Sequence, residues 1–165
     1  MLDLEFNEEG CLPFKIYSMS ISEFENIFSK GKSDERKYIM EHYKHYIEKL
    51  LNCEYVLNHW VDGSFVTLKE KPNDIDTLTE IDGLKSDLND DTDKVHKLID
   101  YAPLWTEGKC HSLGVYKYPD NEEFEFEYKS YIDALSATLC MLFGRNKLTK
   151  NPKGFVKINN FNGGE

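Results

Sequence analysis

The sequence predicts a single domain of the α/β or α+β class, and three observations support this. The chain has 165 residues, which is the size of one ordinary domain. Apolar residues recur at helical spacing towards both ends of the chain. Shorter runs rich in β-branched and aromatic residues lie between these helical segments. Helices at both ends with strands between them are typical of a sheet that packs against helices.

Two helices are predicted in the N-terminal part of the chain, residues 1–52. The first begins near Ser22, with Ser20 or Ser22 as its cap, and it ends at Gly31, a residue suited to the position after a helix. The second is capped by Ser33, and its apolar residues recur at helical spacing, which predicts one buried face. These apolar residues are Ile39, Tyr43, Tyr46, Ile47, Leu50 and Leu51.

The middle part, residues 53–118, is predicted to form the sheet. Its strands are Tyr55–Val61, a second that starts near Asp74 and reaches Ile81, and Cys110–Tyr118. The acidic residues 82–102 are predicted to be helical in part, with one apolar stripe. The stripe consists of Leu84, Leu88, Val95, Leu98 and Ile99.

The C-terminal part, residues 119–158, is predicted to contain a helix over Tyr131–Phe143 and a short strand over Phe155–Ile158. The inward-facing residues of this helix are predicted to be Ile132, Leu135, Leu139 and Leu142. Residues 125–128 alternate acidic and aromatic side chains over too few positions to separate a strand from the start of a helix. Residues 159–165 are predicted to be a frayed tail.

Composition excludes several classes of protein. Apolar residues make up 40% of the chain and aromatic residues 13%, which is too much for a disordered chain. No apolar run approaches the ~18 residues of a membrane span, which predicts no membrane partner. The net charge of −10 argues against a broad nucleic-acid interface but allows a local basic groove. The first ten residues carry acids rather than a signal sequence, which predicts a cytoplasmic protein.

The four cysteines are widely spaced: Cys11, Cys53, Cys110 and Cys140. In a cytoplasmic protein they are expected to be reduced and mostly buried thiols. A secreted chain of this length could instead form two disulfides in any of three connectivities. The cysteine and histidine spacings fit no common zinc module.

The most informative functional pattern is Gly63-Ser64 followed, after nine residues, by Asp74-Ile75-Asp76. Residues i and i+2 of a strand share a face, so Asp74 and Asp76 present two carboxylates side by side. Such carboxylates repel each other unless a cation lies between them, and oxygen ligands suit Mg²⁺ or Mn²⁺. Gly63 lets the backbone approach a phosphate closely, and Ser64 offers a hydroxyl and an N–H. The pattern predicts a site for a nucleoside triphosphate and a divalent cation.

Each half of the pattern is common by chance, and Asn73-Asp74 after Pro72 also fits an ordinary turn. The combined order, strand, Gly-Ser, loop, Asp-x-Asp, strand, is far more specific. It resembles the signature of the DNA polymerase beta-type nucleotidyltransferase superfamily. The chain resembles more closely a bacterial nucleotidyltransferase-like family of unknown function, over nearly its whole length. The matching blocks are Gly10–Pro13, Phe24 with Phe28, Asp62–Thr67, Pro72–Asp76, Phe143–Arg145 and Pro152–Gly154.

This resemblance implies a small mixed sheet with helices packed on one side and a two-metal nucleotidyl-transfer site on its open edge. Asp74 and Asp76 are implied to be catalytic and to hold Mg²⁺ or Mn²⁺. The residues expected to bind the nucleotide are Gly63, Ser64, Thr67, Lys69 and Lys153. Superfamily enzymes use a third acid from a neighbouring strand, but Cys110–Tyr116 contains none, and His111 aligns with that position.

Imidazole is a poor ligand for Mg²⁺ and an acceptable one for Mn²⁺ or Zn²⁺, so His111 is a candidate third ligand and a candidate catalytic residue. The alternatives are that Glu125 or Glu127 supplies the acid, that the site is inactive, or that His111 is an ordinary strand histidine. His42 and His45 stand three apart on the second helix and are interpreted as a surface pair.

A basic cluster, consisting of Arg145, Lys147, Lys150 and Lys153, stands out in this acidic chain. It is predicted either to contact a triphosphate or a nucleic-acid acceptor, or to be a solvated connection. Lys69 and Lys71 lie between the two halves of the motif, where they could steer phosphates or simply solvate a loop.

Three functions are open at this point. The first is a metal-dependent transfer of a nucleotidyl group from a nucleoside triphosphate to an acceptor. The second is a degenerate nucleotidyltransferase fold that binds a nucleotide or a protein partner as a regulator, in a bacterial toxin–antitoxin or antiphage system. The third is a structural module without a ligand.

Overall fold

A five-stranded mixed β-sheet with helices on both faces makes up the fold. The computed structural model describes residues 4–139, 143–159 and 161. The strands are β1 (Ile16–Met19), β2 (Val56–Asp62), β3 (Ile75–Asp82), β4 (Cys110–Lys117) and β5 (Phe155–Ile158). The helices are α1 (Ile21–Phe28), α2 (Asp34–Leu51), α3 (Gly83–Leu88), α4 (Thr92–Asp100), α5 (Ala102–Trp105) and α6 (Glu125–Ala137). This architecture confirms the predicted α/β or α+β class.

The sheet has the strand order β1-β5-β2-β3-β4. Strand β2 runs antiparallel to both of its neighbours, β5 and β3, whereas β1 with β5 and β3 with β4 are parallel pairs. In this register Asp62, at the end of β2, lies opposite Asp76 of β3, and Asp76 lies opposite His111 of β4. Three neighbouring strands therefore bring polar residues from distant parts of the chain to one end of the sheet.

The two N-terminal helices begin at serine caps that the sequence predicts. Ser20 accepts a hydrogen bond from the Glu23 N–H, and the Glu23 carboxylate accepts one from the Ser20 N–H at 2.8 Å, so α1 begins with a capping box. Ser33 caps α2 by accepting a hydrogen bond from the Arg36 N–H. Helix α1 ends before Gly31, whose φ of +72° suits the predicted role of this glycine in stopping the helix.

The two faces of the sheet pack against different helices. Side chains alternate along β3, so Ile75 and Ile81 join the core cluster that includes α2, whereas Leu78 joins a second cluster with Tyr131 of α6. The expectation that helices pack on one side only is therefore wrong, because α6 covers the second face. Asp76 is two residues from Leu78 on the same strand, so its side chain points to the same face of the sheet, the one covered by α6.

Helix α6 begins at Glu125, earlier than the sequence predicts, and the ambiguous residues 125–128 form its first turn. As a result Tyr131 faces the sheet, whereas Ile132, predicted to point inward, is exposed. The periodicity did not reveal this shift, because acidic and aromatic residues alternate over residues 125–128 and fit a strand as well as a helix. The predicted inward position of Leu142 and the environment of Cys140 lie outside the described residues.

Three further differences occur at the ends of elements. Leu51 closes α2 with 42% of its surface exposed, and Leu88 closes α3 with 77% exposed. Residues 82–102 contain two separate helices, α3 and α4, and α5 begins at Ala102. The apolar stripe predicted for this range is therefore interrupted between the helices. Strand β1 is an edge strand of four residues, too short for its pattern to predict it. Of the predicted tail, 159–165, the structure describes only residues 159 and 161.

Candidate metal and nucleotide site

A cluster of three metal-ligating side chains lies where β3 and β4 begin. Asp74 immediately precedes β3, Asp76 is its second residue, and His111 is the second residue of β4. One ligand atom from each of the three lies within 4.8 Å of the others. His111 Nδ1 is 3.2 Å from Asp74 Oδ2. Among residues 4–139, 143–159 and 161, this is the one group of three or more such donors.

All three side chains of this cluster are accessible. The exposed fractions are 26% for Asp74, 23% for Asp76 and 54% for His111. Two carboxylates with an imidazole form a mixed oxygen and nitrogen donor set, which suits Mn²⁺ better than Mg²⁺. The structure thus places His111 beside the acid pair. Glu125, by contrast, pairs with Lys129 on the surface of α6 at 2.5 Å, and neither it nor Glu127 belongs to the cluster.

Gly63 lies directly against the Asp76 carboxylate. Its φ of +80° and ψ of −162° belong to a conformation that favours glycine. A Cβ added at this position would overlap Asp76 Oδ2. Glycine is therefore required here both for its backbone angles and for the space that it leaves to the carboxylate. The Gly-Ser turn and the second aspartate of the motif form one packed unit.

A buried ion pair between Asp62 and Lys153 lies next to the Gly-Ser turn. Asp62 at the end of β2 is 1% exposed, and its carboxylate pairs with the ammonium of Lys153, which is 4% exposed. Burial raises the pKa of Asp62 to about 6, and the charge of Lys153 opposes this rise. The ammonium also donates to the Gly63 carbonyl oxygen at 3.4 Å. In the structure Lys153 is therefore directed at the turn, while its predicted contact with a nucleotide stays a prediction.

Arg36 of α2 holds the segment that follows the Gly-Ser turn. Its buried guanidinium donates to the carbonyl oxygens of Phe28, Phe65, Thr67 and Lys69 at distances of 2.6–3.1 Å. These bonds join the end of α1 and the loop after the turn to one helix. The sequence analysis missed this residue; the available signal was an arginine at helical spacing from the apolar face of α2.

Thr67 shapes the loop from within. Its hydroxyl donates to the Ser64 carbonyl oxygen at 2.7 Å and accepts a hydrogen bond from the Lys69 N–H at 3.2 Å. The N–H of Leu68, which follows Thr67, donates to the Gly10 carbonyl oxygen at 2.8 Å. Residues 64–69 are thus fixed by bonds among themselves and to Gly10, and Ser64, Thr67 and Lys69 line the neighbouring cavity.

A cavity of about 450 Å³ adjoins the Gly-Ser turn. This volume lies within the usual range of small-molecule sites, ~300–1,000 Å³. All five residues predicted to bind the nucleotide line it: Gly63, Ser64, Thr67, Lys69 and Lys153. The lining also includes Arg145 and Lys147, so it holds four cations against the two acids Glu9 and Asp62. Three of the four residues of the predicted basic cluster therefore line the cavity.

The segment that carries Arg145, Lys147 and Lys153, called here the C-terminal loop (residues 143–153), is anchored by Glu9. The Glu9 carboxylate accepts hydrogen bonds from Asn146 Nδ2 at 3.0 Å, Thr149 Oγ1 at 3.0 Å and Asn151 Nδ2 at 2.6 Å. Asn146 Oδ1 in turn accepts from two N–H groups of the same loop. This network holds the loop backbone beside the cavity.

A second cavity, of about 220 Å³, lies beside the carboxylates and is lined by both polar and apolar residues. The polar ones include Asp76, His111 and Lys147, and the apolar ones are Leu113 and Phe143. Lys147 lines both cavities, and its Nζ is 3.3 Å from Asp76 Oδ2. The cluster thus lies beside two cavities of different character.

The histidine pair His42 and His45 is not part of this site. The ring of His42 contacts the ring of Tyr38, with centroids 4.6 Å apart, and His45 is exposed. Cys110 and Cys11 are buried free thiols, and Cys11 lines the larger cavity.

The fold and the site define a mixed α/β domain in which an Asp-Asp-His cluster adjoins a basic cavity. The chain belongs to a family of unknown function, DUF6932, whose model matches residues 4–159. No curated protein and no solved structure matches the chain at a significant level. None of the helices that the structure describes is long and apolar enough to cross a membrane.

Proposed function

We propose that this protein is a metal-dependent nucleotidyltransferase of the cytoplasm, which transfers a nucleotidyl group from a nucleoside triphosphate to an acceptor. The observation that carries the proposal is a juxtaposition of two features. The Asp74, Asp76 and His111 donors lie within 4.8 Å of one another. Immediately beside them, the Gly-Ser turn and four cations line a cavity large enough for a small molecule.

The donor set fits a divalent cation. Asp74 and Asp76 would hold it through carboxylate oxygens and His111 through an imidazole nitrogen, a combination that favours Mn²⁺. A divalent cation bound there supplies charge neutralisation and polarisation of phosphate oxygens. The proposal needs no acid on β4, since His111 occupies the position opposite Asp76.

The remaining residues of the site would bind and orient the triphosphate. The cations of Lys69 and Arg145 line the cavity, where they would attract phosphate oxygens. The turn at Gly63 and Ser64 brings backbone close to the same space. Rate enhancement would then come chiefly from positioning and from charge stabilisation in a preorganised site.

Removal of either carboxylate tests this proposal. We expect Asp74→Asn and Asp76→Asn to weaken Mn²⁺ binding by more than about tenfold and to abolish Mn²⁺-dependent binding of triphosphates, because a direct ligand is lost. Isothermal titration with Mn²⁺, and then with ATP, GTP, CTP and UTP in its presence, measures both effects. Asp133→Asn, at an exposed position of α6, is the matched control and should leave both affinities unchanged. Wild-type affinities in both site variants would contradict the proposal.

A second candidate function is supported by the contacts that the carboxylates already make within the chain. Asp74 contacts His111 at 3.2 Å and Asp76 contacts Lys147 at 3.3 Å, so both acids have partners within the chain. These contacts fit a degenerate nucleotidyltransferase fold that regulates a protein partner, as in toxin–antitoxin or antiphage systems, or a structural module. A wild-type chain that gives no heat with Mn²⁺ or with any triphosphate, but copurifies with one protein, would favour the regulatory function.

A further inference from the structure

We propose that Lys147 is a switch between the metal and the nucleotide. Its ammonium neutralises Asp76 while no divalent cation is bound, and it moves to the phosphates of the nucleotide when a cation takes Asp76. The inference rests on the proposed function, because it assigns Lys147 a place in the same metal and triphosphate site.

The position of Lys147 is the first observation. Its Nζ is 3.3 Å from Asp76 Oδ2, and its side chain lines both the larger cavity and the smaller one. The ammonium can therefore reach either the carboxylate or the cavity without a movement of the backbone. The four-carbon stem of lysine permits such a change by rotation alone.

The backbone of Lys147 is fixed by hydrogen bonds, whereas its side chain is largely exposed. Lys150 Nζ donates to the Lys147 carbonyl oxygen at 2.8 Å, and Glu9 anchors the rest of the C-terminal loop. In contrast, 76% of the Lys147 side chain is exposed. Lys153 differs in this respect: it lines the same cavity but is buried with Asp62. Of these two lysines, Lys147 is the one whose ammonium has room to move.

Electrostatics gives the direction of the switch. An ammonium and a divalent cation on one carboxylate repel each other, so a cation at Asp76 displaces Lys147. The displaced ammonium lies at the wall of a cavity proposed to hold three phosphates, which attract it. Lys147 would thus oppose the binding of the metal alone and favour the binding of the nucleotide after the metal, which is a positive coupling between the two ligands.

The variant Lys147→Met in the full chain tests this inference, because its two expected effects have opposite signs. Mn²⁺ alone should bind about two- to fivefold more tightly, since an exposed ion pair no longer competes. Triphosphate in the presence of saturating Mn²⁺ should bind about tenfold more weakly, since a charged hydrogen bond is lost. Electron paramagnetic resonance of free Mn²⁺ measures the first affinity, and isothermal titration measures the second.

Two controls separate this effect from a change in net charge or in folding. Lys117→Met removes the same charge at an exposed position at the end of β4 and should change neither affinity. Lys147→Arg keeps the charge and should restore wild-type behaviour in both measurements. Mn²⁺ affinity in Lys147→Met that equals or falls below the wild-type value would overturn the inference alone. A wild-type chain that binds Mn²⁺ but no triphosphate would contradict the proposed function and, with it, the nucleotide half of the switch.

Discussion

Gly63 lies against the Asp76 carboxylate. The Gly-Ser and Asp-x-Asp halves of the pattern, separated by nine residues in sequence, are therefore adjacent in the structure. A side chain at position 63 would have to displace the carboxylate that is proposed to hold the metal. Gly108 offers a comparison, because its φ of +74° is close to the +80° of Gly63, yet a Cβ there would meet nothing within 4 Å.

This difference predicts the effects of two alanine substitutions. Gly108→Ala should lower the free energy of unfolding by about 1 kcal/mol through backbone strain alone, and it should leave Mn²⁺ binding unchanged. Gly63→Ala should lower it by about 3 kcal/mol and weaken Mn²⁺ binding at least tenfold, because overlap with Asp76 adds to the strain. Urea unfolding and Mn²⁺ titration measure both. Equal changes in unfolding free energy and in Mn²⁺ affinity for the two substitutions would show that the contact between Gly63 and Asp76 affects neither stability nor metal binding.

At the residue scale, the sequence predicted which residues come together in the candidate site better than it predicted the ion pairs around them. Asp74, Asp76 and His111 were identified from strand spacing and from the aligned motif, and they meet in the structure. The pairing of Asp62 with Lys153 was not predicted, since these residues are 91 positions apart and only the sheet order β5-β2 brings them together. Long-range ion pairs leave no periodic signal in a single sequence.

At the scale of elements, α2 both covers the sheet and holds the functional loop. Tyr43 and Tyr46 belong to the core cluster on its face of the sheet, while Arg36, near the start of the helix, binds four carbonyl groups outside α2. Any loss of Arg36 leaves these carbonyl groups without the donor that they have in the structure. The position of the Gly-Ser turn therefore depends on a helix that is distant from it in sequence.

Substitution of Arg36 should therefore remove the hydrogen bonds that hold the loop after the Gly-Ser turn. We expect Arg36→Met to lower the free energy of unfolding by about 3 kcal/mol, because buried carbonyl oxygens lose their donors. Arg36→Lys should recover only part of this, since one ammonium cannot serve all the same acceptors. Lys37→Met, at the next and exposed position, removes a surface ion pair with Asp34 and should cost less than about 1 kcal/mol. Chemical unfolding measures each value, and similar losses at positions 36 and 37 would contradict this account.

Long helices were easier to predict from the sequence than short strands, because a longer element shows more repeats of its apolar spacing. The caps of α1 and α2 follow from serine chemistry, and α2 is long enough for its buried face to be visible in the sequence. The four residues of β1 are too few for a reliable period. The inward face of α6 was predicted to include Ile132, whereas the neighbouring Tyr131 faces the sheet. Which residue of such a pair is buried depends on the position of the helix on the sheet, which a single sequence does not specify.

At the scale of the whole molecule, charge is distributed unevenly. The chain carries a net charge of −10, yet the larger cavity is lined by four cations and two acids. An acidic surface with a local basic cavity fits a small anionic ligand better than a long nucleic-acid interface. The composition alone could exclude the broad interface, but only the fold shows that residues from both ends of the chain form the basic cavity.

The core contains a histidine whose protonation couples stability to pH. His59 is fully buried between Thr79 and Tyr43, at 2.9 Å and 3.1 Å from their hydroxyl oxygens. Burial lowers its pKa to about 3, compared with about 6.5 in the unfolded chain. Between these values the unfolded chain binds a proton that the folded chain does not, so this contribution to stability is present above pH 6.5 and is lost as the pH falls.

Stability measured against pH tests this coupling. We expect the free energy of unfolding to fall by up to about 1.4 kcal/mol per pH unit below pH 6.5 through His59. His59→Gln should remove this part of the slope, whereas His45→Gln, at an exposed position of α2, should retain it. Urea unfolding at pH 7, 6 and 5 provides the slopes. The same slope in His59→Gln as in the wild type would assign the pH dependence to other groups.

A divalent cation held by Asp74, Asp76 and His111 beside a bound triphosphate is the core of the proposed function. The most direct measurement is anomalous diffraction from crystals soaked with Mn²⁺ and a non-hydrolysable triphosphate. We predict an anomalous peak between the two carboxylates with His111 as a ligand, phosphates in the larger cavity, and Lys147 displaced from Asp76. An empty cluster at saturating Mn²⁺, with Lys147 still on Asp76, would contradict the claim.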